Sequence, residues 1–228
     1  MHPYAMPQFI KDRILRRRGR IWAHEAIDAG KTALLVVDMQ NYFVAEGFAS
    51  EVPGARSIVP NINRMAQALR SAGGTVVYIQ TTAAGVLQTW ANYHTYMMLP
   101  ANRDRRLTQL DERHDGFKLY AGLEPQPGDL HVKKTKFSAF IDGSSDIDEQ
   151  LRSRGIESLL IAGTLTNVCC ESSARDAMMR DYRVVMLADG NAALTDEEHA
   201  AALNNVAVYF GDVMTTDEAL GCLVAAKK

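Results

Sequence analysis

The sequence predicts an α/β protein: a three-layer α/β/α, Rossmann-like open parallel sheet of six strands. Three observations lead there. Short apolar runs, partly β-branched, recur along the chain in the manner of strands buried on both faces. Segments with apolar residues at helical spacing separate them. Short loops join strand to helix to strand, as in βαβ units. No internal repeat, low-complexity stretch or linker divides the chain, so residues 31–228 read as one domain behind an N-terminal arm, residues 1–30.

In order, TALLVVDMQ (Thr32–Gln40) is the first strand, with a carboxylate near its end. PGARSIVPNINRMAQALRSAGG places Ile58, Ile62, Met65 and Leu69 at helical spacing and stops at Gly73-Gly74. TVVYIQT is the second buried strand. Residues 82–127 lose the rhythm; rich in Trp90, Tyr93, Tyr96, Met97, Met98 and arginines, they read as a helical insert over one end of the sheet. HVKK is the third strand, IDEQLRSRGI a helix and SLLIAGT the fourth strand. A helix carrying Cys169-Cys170 follows, then YRVVMLADG as the fifth strand. TDEEHAAALNNVAVYF is a helix opened by a Thr cap with Glu three residues on. DVMTT and DEALGCLVAAKK close the chain as strand and helix.

A chain of 228 residues can bury a substantial core, and 47% hydrophobic with 23% charged residues is ordinary for a globular protein. A net charge of -2 gives no reason to expect nucleic acid or an acidic membrane as partner. No apolar run approaches the roughly 18–20 residues that span a bilayer. The N-terminal segment has basic residues but no long apolar stretch after them, which argues against a secretory signal. Its arginines suit either a transit peptide or a small amphipathic helix, and the second reading is preferred: an arm packed on this subunit or a neighbour. The run Arg16–Arg18 is most simply a solvated face. Three cysteines, an odd number, point to a reducing compartment, the cytoplasm, and away from a disulfide framework.

Ligands of open parallel sheets bind at the carboxyl ends of the strands. Asp38, the lysines after HV and the Cys169-Cys170 pair all stand at such ends or close to them. A carboxylate, an amine and a thiol together form an activated-nucleophile site. Each also has a structural alternative: Asp38 as a cap, Lys133, Lys134 and Lys136 as an exposed edge, the cysteines as core thiols or a redox sensor. A metal site has little support, because no His or Cys stands at ligand spacing nearby.

VVDMQNYF, KTKFSAF and GTLTNVCCESSARDA resemble the three signature segments of the isochorismatase-like cysteine hydrolases, in the expected order over roughly residues 30–215. The resemblance implies that family's hydrolase fold and carries its Asp-Lys-Cys triad onto Asp38, Lys134 and Cys169. Lys134 is chosen over Lys133 and Lys136 because it stands at the family's distance ahead of Ser138-Ala139-Phe140. It also implies a cis peptide at Thr164–Leu165 and an oxyanion hole from the backbone N–H groups of Leu165 and Cys169. Of the two cysteines, the position after the nucleophile is usually a small apolar residue in that family, so Cys170 is expected to pack. A helix N-terminus and the lysine ammonium are expected to favour the Cys169 thiolate.

The family's vinyl-ether-cleaving members lack the nucleophilic Cys, so the resemblance favours amide hydrolysis. Its nicotinamidases carry a metal-binding Asp-x-His after the second strand, and TVVYIQTTAAGVLQTW has none. The expected substrate is therefore a small linear amide or ureide, cleaved through a covalent thioester without metal or other cofactor, releasing ammonia or an amine. A nicotinamidase-like enzyme, a redox sensor and a non-catalytic binding relative are the alternatives. Gln40, Asn41, Phe43, Trp90 and Tyr93 are candidate substrate-binding residues, and Arg103, Arg105 or Arg106 a candidate clamp for a substrate carboxylate. A homodimer or homotetramer is expected.

Overall fold

The computed structural model describes residues 1–226. The central sheet holds six parallel strands, β2 (Thr32–Val37), β3 (Thr75–Thr81), β4 (Leu130–Lys134), β5 (Ser158–Thr164), β6 (Arg183–Ala192) and β7 (Asp212–Met214). They lie in the order β4-β3-β2-β5-β6-β7. A separate two-residue parallel pair, β1 (Ile27–Asp28) with β8 (Leu223–Val224), ties the arm to the end of the chain. The expected terminal helix is correspondingly shorter, α10 (Thr216–Cys222), and yields to β8; Lys227 and Lys228 of that expected helix lie outside the described residues. Thr215 is not the end of a strand. Its hydroxyl accepts from the Glu218 N–H as the cap of α10, the same capping box that Thr195 forms with Glu198.

The remaining helices are α1 (Gln8–Arg18), α2 (Asn41–Val44), α3 (Val59–Ser71), α4 (Val86–Thr89), α5 (Ala91–Tyr96), α6 (Pro100–Gln109), α7 (Ile147–Arg152), α8 (Glu171–Met179) and α9 (Asp196–Asn205). The insert is thus built from α4, α5 and α6. Alternate residues of β2 face opposite layers. Ala33, Leu35 and Val37 join the cluster formed with α1, α7 and α8, while Leu34 and Val36 join that of α3 and α10. Both faces are covered, which is why these strands read as unbroken apolar runs. Among the described residues, no helix is long and apolar enough to cross a membrane.

The arm packs on its own subunit. Ile10 and Ile14, one helical turn apart on α1, are buried in the first cluster. The basic run is only partly solvated: Arg18 reaches the fully buried Asp212 at 2.8 Å, and Arg17 lies over the Tyr209 ring. A solvated face does not describe Arg18, because Asp212 needs a cation in an interior where water cannot serve.

Strand order reverses direction between β2 and β5, the topological switch point where open α/β sheets bind ligands. Val37 and Gly163 are register partners there. Gly163 has φ +126, and a Cβ on it would stand 2.0 Å from the Val37 carbonyl oxygen. Only glycine lets the two strands approach so closely. Gly163→Ala is therefore expected to cost at least about 3 kcal/mol in denaturant unfolding, since strain and overlap add. A wild-type midpoint for that variant would show that the approach is not needed.

Candidate active site

Asp38 follows β2 directly, in a left-handed conformation (φ 53) that only a few residue types other than glycine tolerate, Asp among them. Its backbone N–H donates to the Ile79 carbonyl (2.9 Å), which anchors the strained residue to β3. Lys134 ends β4 opposite Thr81, the last residue of β3. Cys169 lies in a π-helical turn, Thr166–Cys170, between β5 and α8. Four elements therefore deliver their ends to one spot.

The contacts are close and dry. Lys134 Nζ lies 2.8 Å from Asp38 Oδ2, and both side chains are completely buried. The same ammonium donates to Thr81 Oγ1 (2.6 Å) and to the Lys136 carbonyl (3.0 Å), and stands 3.5 Å from Cys169 Sγ. Thr81 Oγ1 in turn donates to Asp38 Oδ1 (2.9 Å), while Oδ2 accepts no well-aligned hydrogen bond. Of the three candidate lysine amines, only that of Lys134 enters this cluster. Lys133 is exposed and paired with Glu112; Lys136 caps the Asp142 carbonyl.

Burial pushes the Cys169 thiol up to about 12; the Lys134 charge opposes the rise and the Asp38 carboxylate adds to it. Burial alone pulls the Lys134 amine down, but Asp38 and Cys169 outweigh it and hold the ammonium above the usual lysine value. A helix end and a lysine favour the anion, but desolvation and the neighbouring carboxylate win, so a thiol faces an ion pair. The arrangement suits proton transfer from sulfur to carboxylate at the moment of attack. Cys170 is completely buried in the core, and burial holds its thiol well above the ordinary range.

Cys169 opens onto a cavity of about 350 Å³ that Phe43, Tyr93, Arg106, Phe137 and Leu165 help to line. A larger cleft of about 550 Å³, around Gly85 and Glu112, contains no member of the cluster. The Thr164–Leu165 peptide is cis.

Of the candidate substrate-binding residues, Phe43 and Tyr93 line the cavity and three do not. Gln40 spends its amide on the backbone: Nε2 donates to the Thr81 and Phe117 carbonyls (3.0 and 2.9 Å) and Oε1 accepts from the Thr81 N–H (2.7 Å). A completely buried amide must satisfy its donors locally, and here that braces the end of β3. Asn41 donates to the Asp115 carbonyl (2.9 Å), away from the cavity. Trp90 stands one layer back, stacked on Tyr93 at 4.3 Å and edge-on to Phe137 at 4.8 Å, and so positions the wall without forming it. Thr81, which bridges Asp38 and Lys134, and Phe137 were not singled out from sequence; their signal was position alone, at a strand end and inside KTKFSAF.

Among the described residues, no group of three or more His, Cys, Asp or Glu side chains is placed to hold a metal ion. His94 is buried, with Nδ1 3.0 Å from the Trp90 carbonyl.

An isochorismatase domain model matches residues 32–218. The chain is 36% identical over 211 residues to the ureidoacrylate amidohydrolase RutB of Variovorax paradoxus, covering 85% of this chain and 81% of that one. It is 37% identical over 203 residues to the enzyme of the same name from Rhizobium rhizogenes, covering 82% and 81%. Among solved structures, a cysteine hydrolase from Pseudomonas syringae pv. phaseolicola superposes with a TM-score of 0.73 at 29% identity, over 85% of this chain and 92% of that one.

Proposed function

Because the chain belongs to the isochorismatase family, we propose that it is a cysteine-dependent amidohydrolase acting on a small linear ureide. The observation that carries this reading is the water-excluded contact of Asp38, Lys134 and Cys169 at the switch point of the sheet. Relatives named as ureidoacrylate amidohydrolases support the ureide class and leave the nicotinamidase alternative with less support.

In this reading Asp38 is the base, and Oδ2, the oxygen with unused capacity, receives the Cys169 proton. The sulfur bonds to the scissile carbonyl carbon as the C=O electron pair moves onto oxygen. The backbone N–H groups of Leu165 and Cys169 receive that oxyanion. Collapse expels the nitrogen, which takes the proton from Asp38 and leaves as ammonia or an amine. The S-acyl enzyme, a thiocarbamate when the substrate is a ureide, is then opened by water that Asp38 deprotonates. Thiol and acid or carbamate are regenerated. Lys134 stays protonated throughout and offsets the negative charge that passes between sulfur and carboxylate. Thr81 holds both partners in register.

The test is ammonia release over a panel of ureides and linear amides. A chelator is expected to leave the rate unchanged, while a stoichiometric thiol alkylator stops it. Activity lost with the chelator and restored by metal would overturn the metal-free mechanism. Exposed Tyr96, Met97 and Leu99 on the insert suit a homodimer or homotetramer, and three free thiols suit a reducing compartment, the cytoplasm.

A further inference from the structure

The segment ahead of α1 reaches the turn that carries Cys169 through two histidines. His199, on α9, is completely buried, and its Nδ1 lies 2.8 Å from the Thr166 hydroxyl. Thr166 is the first residue of the π-helical turn that ends in Cys169-Cys170, and it directly follows Leu165. Among the described residues the other ring nitrogen, Nε2, has no well-aligned partner. Shielding of the ring comes from residues 2 and 4. The His2 ring stacks on it at 4.8 Å, and Tyr4 stands edge-on at 6.2 Å, its hydroxyl donating to Asn204 Oδ1 (3.0 Å). Burial first, and then the neighbouring His2, hold the His199 imidazole down to about 4; the Ala188 carbonyl and Asp196 oppose the fall. His199 therefore meets Thr166 as a neutral hydrogen-bonding group.

His2 is itself fixed at both nitrogens. Nδ1 lies 2.5 Å from an Asp196 carboxylate oxygen, which places a proton there. Nε2 faces Ala193, 3.0 Å from its carbonyl oxygen and 3.1 Å from its nitrogen. A protonated Nε2 donates to the carbonyl; a neutral one accepts from the N–H. One residue answers both states. Ala193 precedes Leu194, which lines the cavity beside Leu165 and Cys169. Two short links thus run from this segment to the site: His2 to the Ala193-Leu194 wall, and His2 over His199 to Thr166.

We infer that residues 2–4 form a strap for the active site, with His2 and His199 as positioning residues that hold the nucleophile turn and the Leu194 wall. The effect on turnover rests on the hydrolase reading above; the effect on the turn itself does not. A π-helical turn departs from the regular helical ladder and persists where its neighbours enforce it. In the proposed reaction the Cys169 sulfur and two backbone N–H groups must serve one carbonyl, and a misplacement of about 1 Å costs about 10²-fold in rate.

The experiment compares the wild type with His199→Asn, His199→Leu, His2→Ala and His2→Phe, by ammonia release from ureides and by amide hydrogen exchange resolved to peptides, with denaturant midpoints as a fold control. His199→Leu keeps an apolar filling and loses the bond to Thr166; kcat is expected to fall about 10–100-fold while KM changes less than about threefold. Asparagine sets an amide atom where Nδ1 stands, so His199→Asn is expected to recover most of that loss, which a residue that only fills space would not do. His2→Ala is expected to speed exchange at least about tenfold in residues 164–170 and 192–195, with β2 and β3 protected as in the wild type. His2→Phe keeps the stack and loses the links to Ala193 and Asp196, so its effect is expected in residues 192–195 alone. Wild-type kcat in His199→Leu, or exchange in His2→Ala that is unchanged or rises evenly over the protein, would overturn the strap and leave the hydrolase standing. A wild type that releases no ammonia from any ureide, with exchange still localised in His2→Ala, would keep the strap and remove the hydrolase.

Discussion

Cys169→Ala is expected to lower ammonia release by at least about 10⁴-fold, the scale seen when a catalytic nucleophile is deleted, while Cys170→Val retains turnover within about threefold and costs under about 1.5 kcal/mol in stability. The two sulfurs are neighbours in sequence and not in environment. Cys169 Sγ stands 3.5 Å from the Lys134 ammonium and opens onto the cavity. Cys170 is completely buried behind it among apolar side chains, where burial disfavours a thiolate and a valine of similar size replaces it. Successive residues in a helical turn point in different directions, so only one can reach the strand ends. Peptide mapping after near-stoichiometric iodoacetamide should find the label on Cys169. Label on Cys170, with Cys169→Ala still active, would reverse the assignment.

The strands that frame this site were legible because burial on both faces writes an uninterrupted apolar run, as in SLLIAGT, whose limits coincide with β5. The β1–β8 pair was not, because two residues carry no periodicity. Lys134 was chosen through the family resemblance, yet the strand period also singles it out: Val132 and Lys134 face inward, His131 and Lys133 outward. The cavity wall was legible only in part. Phe43 and Tyr93 reach it, but Gln40 and Trp90 sit where chemistry suggested contact and geometry denied it. Residue type says what a side chain can bond, and only the fold says what is nearest. For Gln40 that is the backbone of β3 and of the turn at Phe117. The weight of burial on the thiol was not legible for a related reason. Charge partners can be read from a motif, whereas complete desolvation depends on the walls, including Phe137 and the insert.

Lys134→Met and Asp38→Asn are each expected to destabilise the fold by about 3–5 kcal/mol and to lower turnover by about 10²–10⁴-fold, whereas the double variant regains most of the stability and none of the activity. The ion pair between them is 2.8 Å long with both side chains at zero exposure, so water cannot replace either partner. Removing the ammonium leaves a buried carboxylate without its counter-charge, held by the Thr81 hydroxyl 2.9 Å from Oδ1. Removing the carboxylate leaves an ammonium facing Thr81 Oγ1 and the Lys136 carbonyl, with no counter-charge. Removing both charges abolishes the uncompensated burial. A network replaced by uncharged groups of similar volume is often as stable as the original. Activity cannot follow, because the proton then has no acceptor and the developing anion no cation. Denaturant unfolding and ammonia release on all four proteins complete a double-variant cycle. Additive stability losses, with the double variant the least stable of the four, would show that the two residues do not act as a pair. Wild-type kinetics in either single variant would remove it from the mechanism.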